Sequence, residues 1–186
     1  NTFGTNTLVN AAGATLNLSS SYGLPLEWEI TNSTAVFNNA GTLNQTATGA
    51  HAIHGNIAFN NTGTVNVHAG TLTVGGGGTD TGLYAIDGGA TLAFAGGTRN
   101  LSAGSNITGA GTVIFSGAAV SVNGGYGIAA TGFTSVTGGS VGFNVSLTFA
   151  NTLTFAGGDS ATIQGTGNLV VNGAFRPLAI MRSSTA

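Results

Sequence analysis

No cysteine and no lysine occur in this chain, and full charge sits on only 4% of its 186 positions. Without cysteine there are no disulfides, no thiol nucleophile and no sign of a redox compartment. The charged residues are Glu27, Glu29, Asp80, Asp87, Asp159, Arg99, Arg176 and Arg182. Nucleic-acid binding needs Lys and Arg to displace condensed counterions, and three scattered arginines at net charge −2 cannot form a basic stripe. No apolar run approaches the roughly 18 residues of a membrane-spanning helix, so membrane insertion by a helix is not expected. The start at Asn1, without Met or a signal-like apolar segment, leads us to expect a mature product or an excised piece of something longer.

What is abundant is glycine, asparagine, threonine and repetition. FNNAGTLN (Phe37 to Asn44) returns as FNNTGTVN (Phe59 to Asn66), 22 residues on. ATLAFAGG (Ala90 to Gly97) returns as GTVIFSGA (Gly111 to Ala118), and LAFAGG (Leu92 to Gly97) as LTFAGG (Leu153 to Gly158). Between glycines the apolar residues alternate: Val65 and Val67, Leu72 and Val74, Leu92 and Phe94, Val113 and Phe115, Val120 and Val122, Leu153 and Phe155. A period of two means strands with one buried face. The positions read as outward are small or polar: Asn66, Thr73, Ala93, Ser121, Gly142 and Thr154. The 33 glycines would penalise any long helix.

A β-sandwich would need hairpins with Asn-Gly-type turns between successive strands, and only Asn123-Gly124 and Asn172-Gly173 occur. A parallel β-solenoid instead returns like residues one coil later, at the strand spacing of roughly 4.8 Å. The expectation is therefore a single all-β domain, a β-helix of about seven or eight coils of roughly 21–28 residues over residues 1–173. Phe37 then stacks on Phe59 inside and Asn39 on Asn61 at a corner, with Gly41 and Gly63 at a turn that a Cβ would obstruct. Leu24 to Ile30 and Ala50 to Gly55 read as loops or an atypical early coil. Residues 174–186 read as a C-terminal cap or extension.

The stretch from Phe59 to Gly117 resembles the Gly/Thr/Asn-rich repeats of large bacterial surface proteins, of the autotransporter-passenger and filamentous-adhesin type. The resemblance runs roughly from Asn38 to Gly173. It implies a right-handed parallel β-helix, an extracellular or cell-surface location and a role as stalk, adhesin or matrix, with no catalytic residues to carry over.

Four groups of residues are candidates for chemistry. Gly75-Gly-Gly-Gly-Thr-Asp80 fits the start of a calcium-binding glycine-rich nonapeptide, but Gly82 and Gly89 stand where an apolar residue and the next aspartate belong, which favours a plain flexible turn. His51, His54 and His68 are candidate zinc ligands, with solvent-facing corner histidines as the competing reading. Glu27 and Glu29 flank Trp28 as the paired carboxylates of a glycosidase would, yet no acid recurs one coil away, and a half-exposed strand explains them too. Thr71-Leu-Thr73 and Thr152-Leu-Thr154 suggest an ice-binding threonine array, which Ala93, Ser121 and Gly142 would interrupt. The seven Asn-x-Ser/Thr sequons, from Asn17 to Asn144, carry no inference in so Asn-rich a chain.

The sequence thus points to an extracellular structural or adhesive solenoid without cofactor. Its partners would be further solenoid repeats, a second copy stacked end to end into fibres, or a glycan or host-surface ligand. The alternative is a carbohydrate- or ice-binding solenoid, and a polysaccharide-degrading enzyme comes third.

Overall fold

The computed structural model describes residues 4–28, 34–157 and 160–177. Across them the chain is all-β and winds into a parallel β-solenoid of about seven turns, each laying strands on up to three faces. The first face holds β1 (Thr5–Asn10), β3 (Thr34–Asn39), β6 (Ile57–Asn61), β9 (Gly78–Asp80), β12 (Thr98–Leu101) and, at its far end, β19 (Ala161–Gln164). The second holds β2 (Thr15–Leu18), β4 (Thr42–Gln45), β7 (Thr64–Val67), β10 (Leu83–Ile86), β13 (Asn106–Gly109) and β15 (Gly125–Ile128), and beyond them β17 (Leu147–Phe149) pairs with β20 (Leu169–Val171). The third holds β5 (Ala50–Ile53), β8 (Thr71–Val74), β11 (Thr91–Phe94), β18 (Thr152–Phe155) and β21 (Phe175–Pro177). Two long strands, β14 (Thr112–Val122) and β16 (Phe133–Phe143), turn a corner and serve two faces each; between them the register shifts at Phe115 to Ala119.

All pairings among the described strands are parallel, and outside the β14–β16 corner they keep register from coil to coil: Leu8, Phe37 and Phe59 align on the first face, and Leu72, Leu92 and Val113 on the third. Alternation sends one set of side chains inward, where these columns fuse into one core. The Phe37 and Phe59 rings lie 5.1 Å apart, and Phe94 stacks on Phe115 at 5.7 Å. Each such buried side chain is worth about 1.5–3 kcal/mol relative to exposure. Asn39 and Asn61 close their strands, both buried, and the chain then turns through Gly41 and Gly63. A Cβ on Gly63 would fall on the Gly41 carbonyl oxygen of the preceding coil, and one on Gly41 would meet the Ala11 and Ala14 carbonyls. The glycine is required by the approach of one coil's backbone to the next.

The structure places three stretches that the sequence left open. Of the two readings of Ala50 to Gly55, a loop or an early coil, the coil is found: Ala50 to Ile53 is strand β5, carried by register with Thr71 to Val74. Leu26 bridges to Ile53, so the first coil also reaches the third face, with Leu26 and Trp28 packed on the core; Glu29 and Ile30 lie outside the described residues. Phe175 to Pro177 pairs in register with Leu153 to Phe155, so solenoid pairing runs past residue 173; the rest of the expected cap, Leu178 to Ala186, lies outside the described residues.

Candidate functional site

The amide ladder of the first face is where the interior becomes chemically distinctive. Asn10 Nδ2 donates to Asn39 Oδ1 at 2.7 Å and Asn39 Nδ2 to Asn61 Oδ1 at 2.8 Å. Each of the three amides also donates to a backbone carbonyl on the second face, Thr42, Thr64 or Leu83, at 3.0–3.1 Å. Buried amides are tolerated because their donors are satisfied in this way. In the next coil the rung is taken by Asp80: Thr81 and Gly82 donate to the Asn61 carbonyl as Thr62 and Gly63 do to that of Asn39. A carboxylate has no proton to pass on, so the ladder stops. Beyond it the column continues apolar through Leu101, Val122 and Phe143.

Arg99 compensates the buried carboxylate. Period two along Thr98 to Leu101 points it inward, one coil beyond Gly78. Its guanidinium reaches back to donate to Asp80 Oδ2, to the Phe59 carbonyl at 3.2 Å and to the Gly76 and Gly77 carbonyls at 3.0 and 3.2 Å. Both partners of the ion pair are fully buried. The guanidinium carbon also lies 5.7 Å from the Phe59 ring centre and 5.6 Å from that of Phe94, within cation–π range. The other Asp80 oxygen accepts the Asn61 backbone N–H at 2.8 Å.

Burial pushes the Asp80 carboxyl above its usual range, against the lowering pull of Arg99 and the Asn61 N–H. Tyr84, buried and edge-on to Phe94, is close enough to feel both charges; burial first, and then the Asp80 carboxylate, hold its hydroxyl well above the ordinary tyrosine value. Such shifts are common at functional sites, but buried ion-pair networks produce them too. Here the pair is sealed from solvent, so neither charge meets a substrate.

Within the glycine run, Gly75 to Gly77 connect β8 to β9, and Gly78 opens strand β9, where a Cβ would fall on the Phe59 carbonyl oxygen. The oxygens a calcium ion would use, from Asp80 and the glycine carbonyls, are the ones Arg99 occupies with its own positive charge. Arg99 and Tyr84 were missed as members of this cluster, although the alternation through Leu101 places Arg99 on the inward face.

The histidines do not converge. His51 is buried in β5, with Gln45 Nε2 donating to its Nδ1 at 2.7 Å and its Nε2 on the Ser20 carbonyl at 2.7 Å, which assigns the Nε2–H tautomer. That corrects the solvent-facing reading for this residue. His54 Nδ1 pairs with the Trp28 carbonyl at 3.0 Å. His68 is exposed and meets Asp87 Oδ2 at 2.8 Å, a carboxylate one coil on. Among the described residues no three His, Asp or Glu side chains assemble as a metal site.

The outer faces carry further ladders. Asn17, Asn44 and Asn66 are linked at 2.9 and 2.8 Å, Asn38 and Asn60 at 2.9 Å, and Asn100, Asn123 and Asn144 at 2.8 and 2.9 Å. On the third face Thr71, Thr91 and Thr112 align, followed by Phe133 and Thr152. The row beside it runs Thr73, Ala93, Ile114, Ser135, Thr154. Ser121 and Gly142 belong to the first face, so the threonine array is interrupted by Ala93, Ile114 and Phe133 instead.

At the first coil a cleft of about 310 Å³ is lined by Asn6, Leu8, Pro25, Glu27 and Trp28 among others. Glu27 is exposed and accepts from the Tyr22 hydroxyl at 3.2 Å. No family model matches this chain, and no match was found among the curated proteins or the solved structures.

Proposed function

We propose that this chain is a structural or adhesive module displayed outside a bacterial cell. The observation that carries the reading is the way polar groups are spent. Three of the outward rows described above are asparagine ladders, while the buried ions Asp80 and Arg99 neutralise one another. Such a rod offers a long, nearly uncharged surface, and among the described residues no three His, Asp or Glu side chains gather where they could hold a metal ion. The resemblance of Phe59 to Gly117 to surface-protein repeats supports the same role. Labelling intact and lysed cells of the source bacterium with an antibody to the chain tests it: labelling of intact cells is expected, and labelling only after lysis would overturn it.

One observation favours a second reading. The first-coil cleft sets Trp28 beside Glu27, a pairing of aromatic surface and carboxylate that suits a sugar ring. A glycan array identifying a ligand whose binding is lost in Glu27→Gln would move the role from scaffold to carbohydrate recognition.

A further inference from the structure

We propose that Thr46, His68 and Asp87 form a self-acylating site on the side of the rod, where the Thr46 hydroxyl accepts the acyl group of a carboxylic ester. This activity goes beyond a structural or adhesive role. It starts from the register of the corner that leads from the second face to the third. Leu18, Gln45, Val67 and Ile86 stand in one buried column at the ends of β2, β4, β7 and β10. The residue after each keeps the stacking: the Thr46 N–H donates to the Leu18 carbonyl at 3.1 Å, that of His68 to Gln45 at 2.9 Å and that of Asp87 to Val67 at 3.0 Å. Period two turns these next residues outward, and all three are exposed. A hydroxyl, an imidazole and a carboxylate therefore follow one another on three successive coils, spaced by roughly 4.8 Å.

The order of the row decides its chemistry. Asp87 Oδ2 lies 2.8 Å from His68 Nδ1. An ionised carboxylate only accepts, so the imidazole proton sits on Nδ1 and Nε2 keeps its lone pair. The two ring nitrogens face nearly opposite ways, so a ring anchored on the Asp87 coil leaves Nε2 for the Thr46 side. The Thr46 hydroxyl is loosely engaged, 3.4 Å from the Leu18 carbonyl and beyond the usual O–H···O range. A turn about its Cα–Cβ bond redirects it to His68 across one coil, the gap that His68 itself spans to reach Asp87. Nucleophile, base and a third group that orients the base together activate a hydroxyl. In the step, His68 Nε2 takes the Thr46 Oγ1 proton as Oγ1 attacks the ester carbonyl carbon. The bond from that carbon to the alcohol oxygen then breaks, the departing alcohol takes the proton from His68, and the acyl group stays on Thr46 as a new ester. Nothing is oxidised or reduced. Thr46 and His68 touch the ester, and Asp87 is a positioning residue. On an open surface the gain lies at the lower end of what a positioned base supplies, about a hundredfold.

The test incubates the full purified chain with 4-nitrophenyl acetate, an activated ester, and locates acetyl groups by mass spectrometry of its peptides over time. The wild type is expected to gain an acetyl group on Thr46 about 10- to 100-fold faster than His68→Ala. Asp87→Ala should slow the same uptake by about tenfold, and Asp87→Glu should recover part of it, with circular dichroism unchanged in each. Thr46→Ser should keep the reaction and Thr46→Ala should end it at this position. Acetyl groups found only at other residues, or uptake on Thr46 at the same rate in His68→Ala as in wild type, would overturn the proposal. So would an Asp87→Ala rate equal to wild type, since the row would then not act as a unit.

Discussion

Removing either member of the Asp80–Arg99 pair should cost far more than removing both. Arg99 donates four hydrogen bonds to Asp80 and to the carbonyls of Phe59, Gly76 and Gly77, and both charges are sealed from water. Breaking a buried pair by deleting one partner costs about 3–5 kcal/mol, whereas replacing both charges by neutral groups is often close to neutral. For a chain of this size that corresponds to a melting-temperature loss of about 6–20 °C in Arg99→Met. Asp80→Asn should fall at the upper end, because the stranded guanidinium cannot shed its proton. The double variant Asp80→Asn/Arg99→Met keeps an acceptor for the Asn61 N–H and removes both charges. It should be more stable than either single variant, so its loss falls short of the sum of the two single losses by at least about 3 kcal/mol.

The same cycle has a pH signature. A carboxyl whose folded pKa is raised contributes stability that is complete below the ordinary aspartate value of about 3.9 and is lost as pH rises through the folded value. Burial raises Asp80 and Arg99 opposes that rise, so Arg99→Met lifts it further. Thermal melts followed by circular dichroism should therefore show Arg99→Met closer to wild type at pH 4 than at pH 7. Strictly additive losses, or single variants within 1 kcal/mol of wild type by the yardsticks used for surface changes, would refute the argument.

Gly63→Ala drives a Cβ into the Gly41 carbonyl and should cost at least about 3 kcal/mol by chemical denaturation, with wild-type stability arguing against such tight coil stacking. Phe59→Ala removes a ring shared by Phe37 and the Arg99 guanidinium, and a loss of about 3–5 kcal/mol is expected in the same assay; less than 1 kcal/mol would mean the column is not packed. His51→Ala should cost about 2–4 kcal/mol by orphaning Gln45 and the Ser20 carbonyl, while His68→Ala at the exposed pair should stay within about 1 kcal/mol. Reversed sensitivities would mean that the two histidines have been placed on the wrong sides of the wall.

What could be read from the sequence is whatever the coil repeats. Phe37 and Phe59, Asn39 and Asn61, and Gly41 and Gly63 recur because each pair occupies one column, and period two separates inward from outward residues in short strands such as β4, β7 and β8. Single events were not legible. Asp80 and Arg99 meet once, across coils, and no repetition marks them as partners. His51 resembled a loop residue because the small residues around it hide a strand whose burial comes from Gln45 on another face. The glycine run from Gly75 to Gly78 looked flexible because composition does not separate a mobile turn from a backbone pressed against Ile57 and Phe59. Residues were assigned to the wrong face, as with Ser121 and Gly142, because β14 and β16 each run as one strand around a corner, where the inward phase shifts by one residue.

The central claim is that like positions stack one coil apart, and the absence of native cysteine makes it directly testable. Thr73 pairs with Ala93 on adjacent coils, and Ala93 with Ile114 on the next. Their Cα atoms are thus separated by roughly 4.8 Å for one coil and roughly 9.6 Å for two. A disulfide tolerates about 4.4–6.8 Å. Under mild oxidation of the monomer, the variant Thr73→Cys/Ala93→Cys should form an intramolecular disulfide and Thr73→Cys/Ile114→Cys should not, as read by mass spectrometry of the cross-linked peptides. Failure of the first pair, or equal cross-linking of the second, would contradict the stacked-coil account.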